Sequence, residues 1–163
     1  LSSAINGYPN SQYRLGASLL RGEYAQTDRK KGLNWILYAA QSGFVHAQYR
    51  LARELLDKQH VEYDLAKAKR WLITAADQGH FRAMRDLIAL ALEDKNYSLA
   101  QNYLTLARKV DDQHPALLLS QAKLHLVNSQ GKSAKKLVEK AIKQAKNRHW
   151  HLQAYQVFLA ENF

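Results

Sequence analysis

The sequence predicts an all-α solenoid of stacked antiparallel helix pairs, and three observations predict it. "WILYAAQSGFVHAQYRLA" (Trp35 to Ala52) and "WLITAADQGHFRAMRDLI" (Trp71 to Ile88) share Trp, Ala-Ala, Gly, Ala and Leu at the same offsets, 36 residues apart. "QYRL" recurs at the same interval, at Gln12–Leu15 and Gln48–Leu51. The chain of 163 residues contains only two Pro and seven Gly, and good helix formers (Ala, Leu, Lys, Gln, Arg) dominate it. A fixed period of about 20–50 residues marks supersecondary units that bury their apolar faces by stacking, because one helix pair cannot do so alone.

The elements follow in order within a single domain, residues 1–163. Stepping back 36 residues from Gly43 reaches Gly7, so residues 3–10 read as the end of a preceding repeat. The chain is therefore expected to begin mid-solenoid as a piece of a longer protein. Leu1–Asn6 is expected to be a helical stump with a poorly covered apolar side, through which copies self-associate. Residues 11–46 and 47–82 are the two full repeats. Asp28 and Asp64 each stand seven residues before a Trp, where a carboxylate caps a helix by accepting first-turn N–H groups. Gly43 and Gly79 fall where a left-handed residue ends a helix. In the second repeat this predicts helices over about residues 48–58 and 65–78. Ala39, Ala40, Ala75 and Ala76 allow close helix approach, while Trp35 and Trp71 are expected to fill wider gaps in largely buried, equivalent sites. Leu15, Leu51 and Leu87 recur at one register and are expected in the core.

A shortened repeat spans 83–110, with Asn96 as cap, Ala100 at the small position and Tyr103 in place of Trp. Residues 115–147 form the next pair. Its second helix carries the apolar stripe Ala134, Leu137, Val138, Ala141 and Ile142. A capping helix over 149–161 closes the order.

Composition excludes several classes. Cysteine is absent, so disulfides, thiol catalysis and zinc ribbons are out. No apolar run approaches the roughly 20 residues that span a bilayer. "LSSAINGYPN" lacks the basic and apolar regions of a secretory signal. The net charge of +10 divides evenly, +5 in residues 1–82 and +5 in 83–163, and favours acidic partners.

No motif carries chemistry, and none calls for a cofactor. His149 and His151 flank Trp150 but point to different sides of a helix. His46 and His80 sit in turns before helices as solvated residues. The pairs Glu93-Asp94 and Asp111-Asp112 lie at helix ends, where capping explains them. Phosphate loop, nucleophile elbow and dinucleotide fingerprint are all missing. "NYS" at Asn96 matches a glycosylation sequon, but the cap accounts for it. The reading is a protein without catalysis.

The pattern Asp-x-x-x-Gly/Ala-x-x-Trp-x-x-x-Ala-Ala-x-x-Gly, with Ala-x-x-Leu-Gly-like residues near Ser11–Gly16, closely resembles Sel-one-like repeats, bacterial-rich relatives of tetratricopeptide repeats. The resemblance covers about residues 3–110, and 115–147 is more similar to an ordinary tetratricopeptide repeat. Ala52 and Ile88 depart from it where the family has Gly, as Tyr103 does where it has Trp. The resemblance implies a right-handed superhelix acting as a non-catalytic scaffold or adaptor. The partner is another protein or peptide, acidic in character, and the location leans to a bacterial periplasm or envelope rather than the cytoplasm.

In such repeats the first helix of each pair lines a concave groove. By register its outward positions are Asn10, Tyr13 and Arg21, then His46, Tyr49 and Arg53, then Arg82 and Arg85, then Lys123. Tyr and Arg carry much of the binding energy at protein interfaces, and Arg53, Arg82 and Arg85 are expected to contribute most. The competing expectation for Tyr13 and Tyr49 is packing between helices. An alternative surface is the helix from Lys132 to Arg148, where Lys132, Lys135, Lys136, Lys140, Lys143, Lys146 and Arg148 face one Glu139, a net +6. That face reads first as solvated, and otherwise as a module for nucleic acid or an anionic membrane or polysaccharide surface. Nucleic acid is disfavoured, since no aromatic residue interleaves the lysines before Trp150.

Overall fold

A computed structural model describes residues 2–22, 28–148 and 152–163. Leu1 of the stump, and His149, Trp150 and His151 at the start of the expected capping helix, lie outside the described residues. Among the described residues all regular structure is helical: α1 (Ser2–Ile5), α2 (Pro9–Arg21), α3 (Arg29–Gln41), α4 (Val45–Leu55), α5 (Leu65–Asp77), α6 (Phe81–Glu93), α7 (Tyr97–Arg108), α8 (Pro115–Val127), α9 (Gly131–Asn147) and α10 (Gln153–Asn162). The chain forms two compact units, Leu1–Ala83 and Met84–Phe163, and the division falls within α6.

In the first unit α1 packs on α2, α2 on α3, α3 on α4 and α4 on α5. The local signals act as the sequence predicts. Asp28 Oδ1 accepts the Lys31 N–H at 2.9 Å, and Asp64 Oδ1 accepts the Lys67 N–H at 2.9 Å. Gly7, Gly43 and Gly79 adopt φ of 84°, 84° and 85°, a left-handed conformation that costs an L-residue about 1–2 kcal/mol. Two glutamines, both buried, tie each first helix to the chain before it. Gln12 Nε2 donates to the Ala4 carbonyl at 3.2 Å, and Gln48 Nε2 donates to the Ala40 carbonyl at 3.3 Å. Gln78 Nε2 in turn donates to Gln48 Oε1 at 2.7 Å.

The core of this unit is Ile36, Ala39, Ala40, Ala47 and Leu51, with Leu20, Leu33, Leu37, Leu55 and Trp71 against it. Enclosing Ile36 completely stabilises the fold by about 1.5–3 kcal/mol. Trp35 and Trp71 are both partly buried. The enclosed residues are their neighbours, Ile36 and Leu72. Gly32, Ile36, Ala39 and Ala40 make the buried stripe of α3, and Trp35 stands on its margin.

In the second unit α7 packs on α8, α8 on α9 and α9 on α10. Asn96 Oδ1 caps α7 through the Leu99 N–H at 3.1 Å. Pro115 opens α8, where a missing N–H costs nothing. Ala134, Val138, Ala141 and Ala145 form the buried face of α9. Ala122, Ala134 and Val138 make a cluster covered by Leu119, Leu126, Leu137, Ile142, Phe158 and Leu159.

Candidate functional site

The first helices of the first unit present a chain of rings. Tyr13 meets Phe44 at 5.4 Å between centroids, Phe44 meets His46 at 5.5 Å, His46 meets His80 at 5.4 Å, and His80 lies over Tyr49 at 4.5 Å. His46 is exposed, and the other four are half-buried. His80 is thus a packed, partly buried side chain, whereas His46 stays exposed at the start of α4. His80 also caps α6, its Nδ1 accepting the Ala83 N–H at 3.2 Å. Tyr13 both joins the ring chain and packs on the core cluster. Arg21, Arg53 and Arg82 are exposed.

The second unit contains a cleft of about 600 Å³, within the size range of ligand-binding pockets. It is built on α6, the start of α7, α8 and α10. Arg85 and Lys123 line it together with the hydroxyl-bearing Tyr97, Ser120 and Tyr155, over apolar residues including Ala89, Leu92 and Val127. Asp86 and Glu93 line it too, so its positive character is local to Arg85 and Lys123. Lys123 Nζ stands 5.6 Å from the Phe158 ring centre, and Tyr155 is pushed up in pKa by burial.

Arg85 is half-buried, and its Nη1 lies 3.1 Å from Nε2 of His114. His114 is 4% exposed. Its Nδ1 also receives the Ala116 N–H at 3.2 Å, at the start of α8. A neutral imidazole has one acceptor nitrogen, so the tautomer decides between capping α8 and holding Arg85. Burial pushes the ring's pKa down to about 4, helped by the Arg85 charge, and the ring is neutral at pH 7.

The basic helix keeps its six lysines exposed: Lys132, Lys135, Lys136, Lys140, Lys143 and Lys146. Arg148 does not share that face as the sequence suggests. Its guanidinium grips Asp111 across 37 residues with contacts of 2.8 and 3.2 Å, and this pairing holds the Asp111 carboxyl below its usual pKa. The fork geometry favours a structural pair. Among the described residues no group of three or more His, Asp or Glu is placed to hold a metal ion. None of their helices is long and apolar enough to cross a membrane.

Comparison with known proteins shows what these helix pairs resemble. The Sel1 repeat family matches at residues 9–44 and 45–80, which are α2 with α3 and α4 with α5. Residues 9–80 are thus similar to two Sel1 repeats. Two solved structures share the fold of the chain. One is c5321, a protective antigen present in uropathogenic Escherichia coli strains and displaying an SLR fold. It is 25% identical with a TM-score of 0.74, covering 98% of this chain and 34% of its own. The other is a Sel1 repeat protein from Oxalobacter formigenes, 22% identical with a TM-score of 0.72, covering 87% of this chain and 43% of its own. The chain thus spans about a third of the first structure's length and just over two fifths of the second's. No curated protein matches it. Sel1 repeats are in general protein–protein interaction modules, and their fold is typically a non-catalytic scaffold.

Read in the Sel1 register, the residues missed from the sequence had a signal. Tyr8, Phe44 and His80 are spaced by 36, and His114 follows 34 residues after His80. Each immediately precedes a first helix, so a ring recurs at one structural position. The cleft's Tyr155 had no comparable signal, because α10 comes into it only through tertiary packing.

Proposed function

We propose that the chain is a non-catalytic adaptor whose second unit binds an acidic segment of a partner protein. The observation that carries this reading is the cleft of α6, α7, α8 and α10, where Arg85 and Lys123 meet hydroxyl groups over an apolar floor. Arg there can bind a carboxylate with two hydrogen bonds, and the apolar floor takes up neighbouring side chains. The ring chain of Tyr13, Phe44, His46, His80 and Tyr49 is a separate candidate surface on the first unit. Rigid aromatic area of this kind suits polypeptide contact.

A photo-crosslinking residue at Ala89, an exposed position lining the cleft, tests the reading in cells. Adducts with a polypeptide are expected there, and Lys123→Glu should diminish them. The same residue at Lys136 on α9 should give few. Adducts of equal strength from Lys136, insensitive to Lys123→Glu, would move the site to the basic helix. That outcome favours the second reading, docking of an anionic surface on the six exposed lysines of α9.

A further inference from the structure

We infer that α9 docks the protein on a membrane surface rich in anionic phospholipid headgroups, through the lysine face opposite its buried stripe. The inference rests on the anionic-surface reading above and commits it to one surface. It places that surface beside the cleft and not in its stead, since no residue of α9 lines the cleft.

The distribution of charge carries it. The second unit, Met84–Phe163, contains twelve Lys and Arg against seven Asp and Glu, a net +5. Six of those cations and one of those acids, Glu139, belong to α9. The remainder of the unit balances at six of each, so the whole excess stands on one helix. At about 100° per residue, Lys132, Lys135, Lys136, Lys140, Lys143 and Lys146 fall within an arc of about 140°. That arc lies nearly opposite the buried Ala134, Val138, Ala141 and Ala145. All six lysines are exposed, and among the described residues none is ion-paired.

The placement works against the helix itself. Like charges four residues apart repel, as at Lys132 with Lys136 and Lys136 with Lys140. The first turn holds Lys132 and no acid, although the amide dipoles there favour anions. An external layer of negative charge relieves both. The face runs about 21 Å along the axis and contains neither Arg nor an aromatic ring. Nucleic acid is gripped by guanidinium groups, polar side chains and stacking rings as well as by charge. A headgroup layer asks only for charge, and each lysine near it strengthens attachment about fivefold. Leu137 and Ile142 are taken up by the core cluster, so the attachment is electrostatic and inserts no apolar side chain of α9.

The full chain is sedimented with vesicles of equal parts phosphatidylglycerol and phosphatidylcholine, and with vesicles of phosphatidylcholine alone. It should bind only the first, and lose that binding as salt rises. Lys136→Gln, Lys140→Gln and Lys143→Gln together should weaken binding about a hundredfold, whereas Lys136→Arg, Lys140→Arg and Lys143→Arg together retain it. The glutamine variant should be at least as stable as the wild type, because repulsion along α9 is relieved. Lys30→Gln, Lys58→Gln and Lys95→Gln remove the same charge from exposed positions elsewhere and should cost about threefold at most. Equal binding to phosphatidylcholine alone, or equal losses from the two glutamine sets, overturns the inference. Tighter capture of the chain by duplex DNA or by a soluble acidic polysaccharide at the same ionic strength also overturns it, while leaving the anionic-surface reading intact. Binding to none of the three overturns both.

Discussion

Replacing Gly16 by alanine tests whether α2 and α3 cross as closely as the structure has them. A Cβ at Gly16 would stand 2.6 Å from the Gly32 carbonyl oxygen, 2.7 Å from Ile36 Cγ1 and 3.0 Å from the Ile36 nitrogen. Two of these neighbours are backbone atoms of α3, which no rotamer change can move. Ordinary contact begins near 3.4 Å, so the helices must part by several tenths of an ångström. Overpacking of this kind costs about 1–3 kcal/mol, and exchanging glycine for alanine inside a helix returns about 0.5–1 kcal/mol. The net expectation is a loss of about 1–2 kcal/mol, or a fall of roughly 2–8 °C in Tm for a chain of this size.

The second repeat makes the comparison internal. Ala52 and Ala68 occupy the positions of Gly16 and Gly32, 36 residues on, and both are fully buried. The same fold therefore accepts methyl groups there when the two helices are spaced for them. Urea unfolding followed by tryptophan fluorescence suits the measurement, since Trp35 and Trp71 both belong to the first unit. Gly131→Ala is the control, because nothing lies within 4 Å of a Cβ at that position; it should be neutral or stabilise by up to about 0.5 kcal/mol. A Gly16→Ala protein as stable as the wild type would refute the reasoning.

Other outcomes follow from the same structure. Gln12 Oε1 is buried without a hydrogen-bond partner, whereas the equivalent Gln48 Oε1 has Gln78; Ser42 occupies the place of Gln78. Ser42→Gln should therefore stabilise the protein by about 0.5–1.5 kcal/mol, a gain that vanishes in a Gln12→Met background. Leu72→Ala should cost about 3–4 kcal/mol and Trp71→Ala about 2 kcal/mol, the reverse of their sizes, because only the leucine is enclosed; the two urea midpoints decide it. His114 binds a proton near pH 6.5 when unfolded and near pH 4 when folded. Its contribution is present above pH 6.5 and lost as pH falls to 4, about 3 kcal/mol in all. Subtracting the pH–stability profile of His114→Asn from that of the wild type isolates this loss. Once a partner is in hand, Arg85→Glu or Lys123→Glu should weaken binding by about 1 kcal/mol or more. Charge reversal at Lys136 and Lys140 should only soften it, through long-range attraction; equal losses in a binding assay would contradict the cleft.

What was legible in the sequence is what the backbone demands locally. A carboxylate at Asp28 and Asp64, an amide at Asn96 and a left-handed glycine at Gly43 and Gly79 each serve a helix end, so residue type and offset suffice to read them. Burial was read less well because size stood in for position. Trp35 and Trp71 recur and are large, yet the stripes that face inward run through Ile36 and Leu72. The glutamine ties were visible as recurrence in "QYRL" and silent as to purpose, since their acceptors lie eight residues back across a turn. The candidate site lies where the repeat breaks its own pattern. Tyr13, Tyr49 and Arg85 occupy one register position, spaced by 36. The first two join the ring chain, and the third lines a cleft against a buried histidine. Recurrence therefore reports the scaffold, because every unit must stack in the same way. A binding residue is under no such constraint, and the exchange of Tyr for Arg at a position whose backbone role is unchanged is where a partner's chemistry can be read.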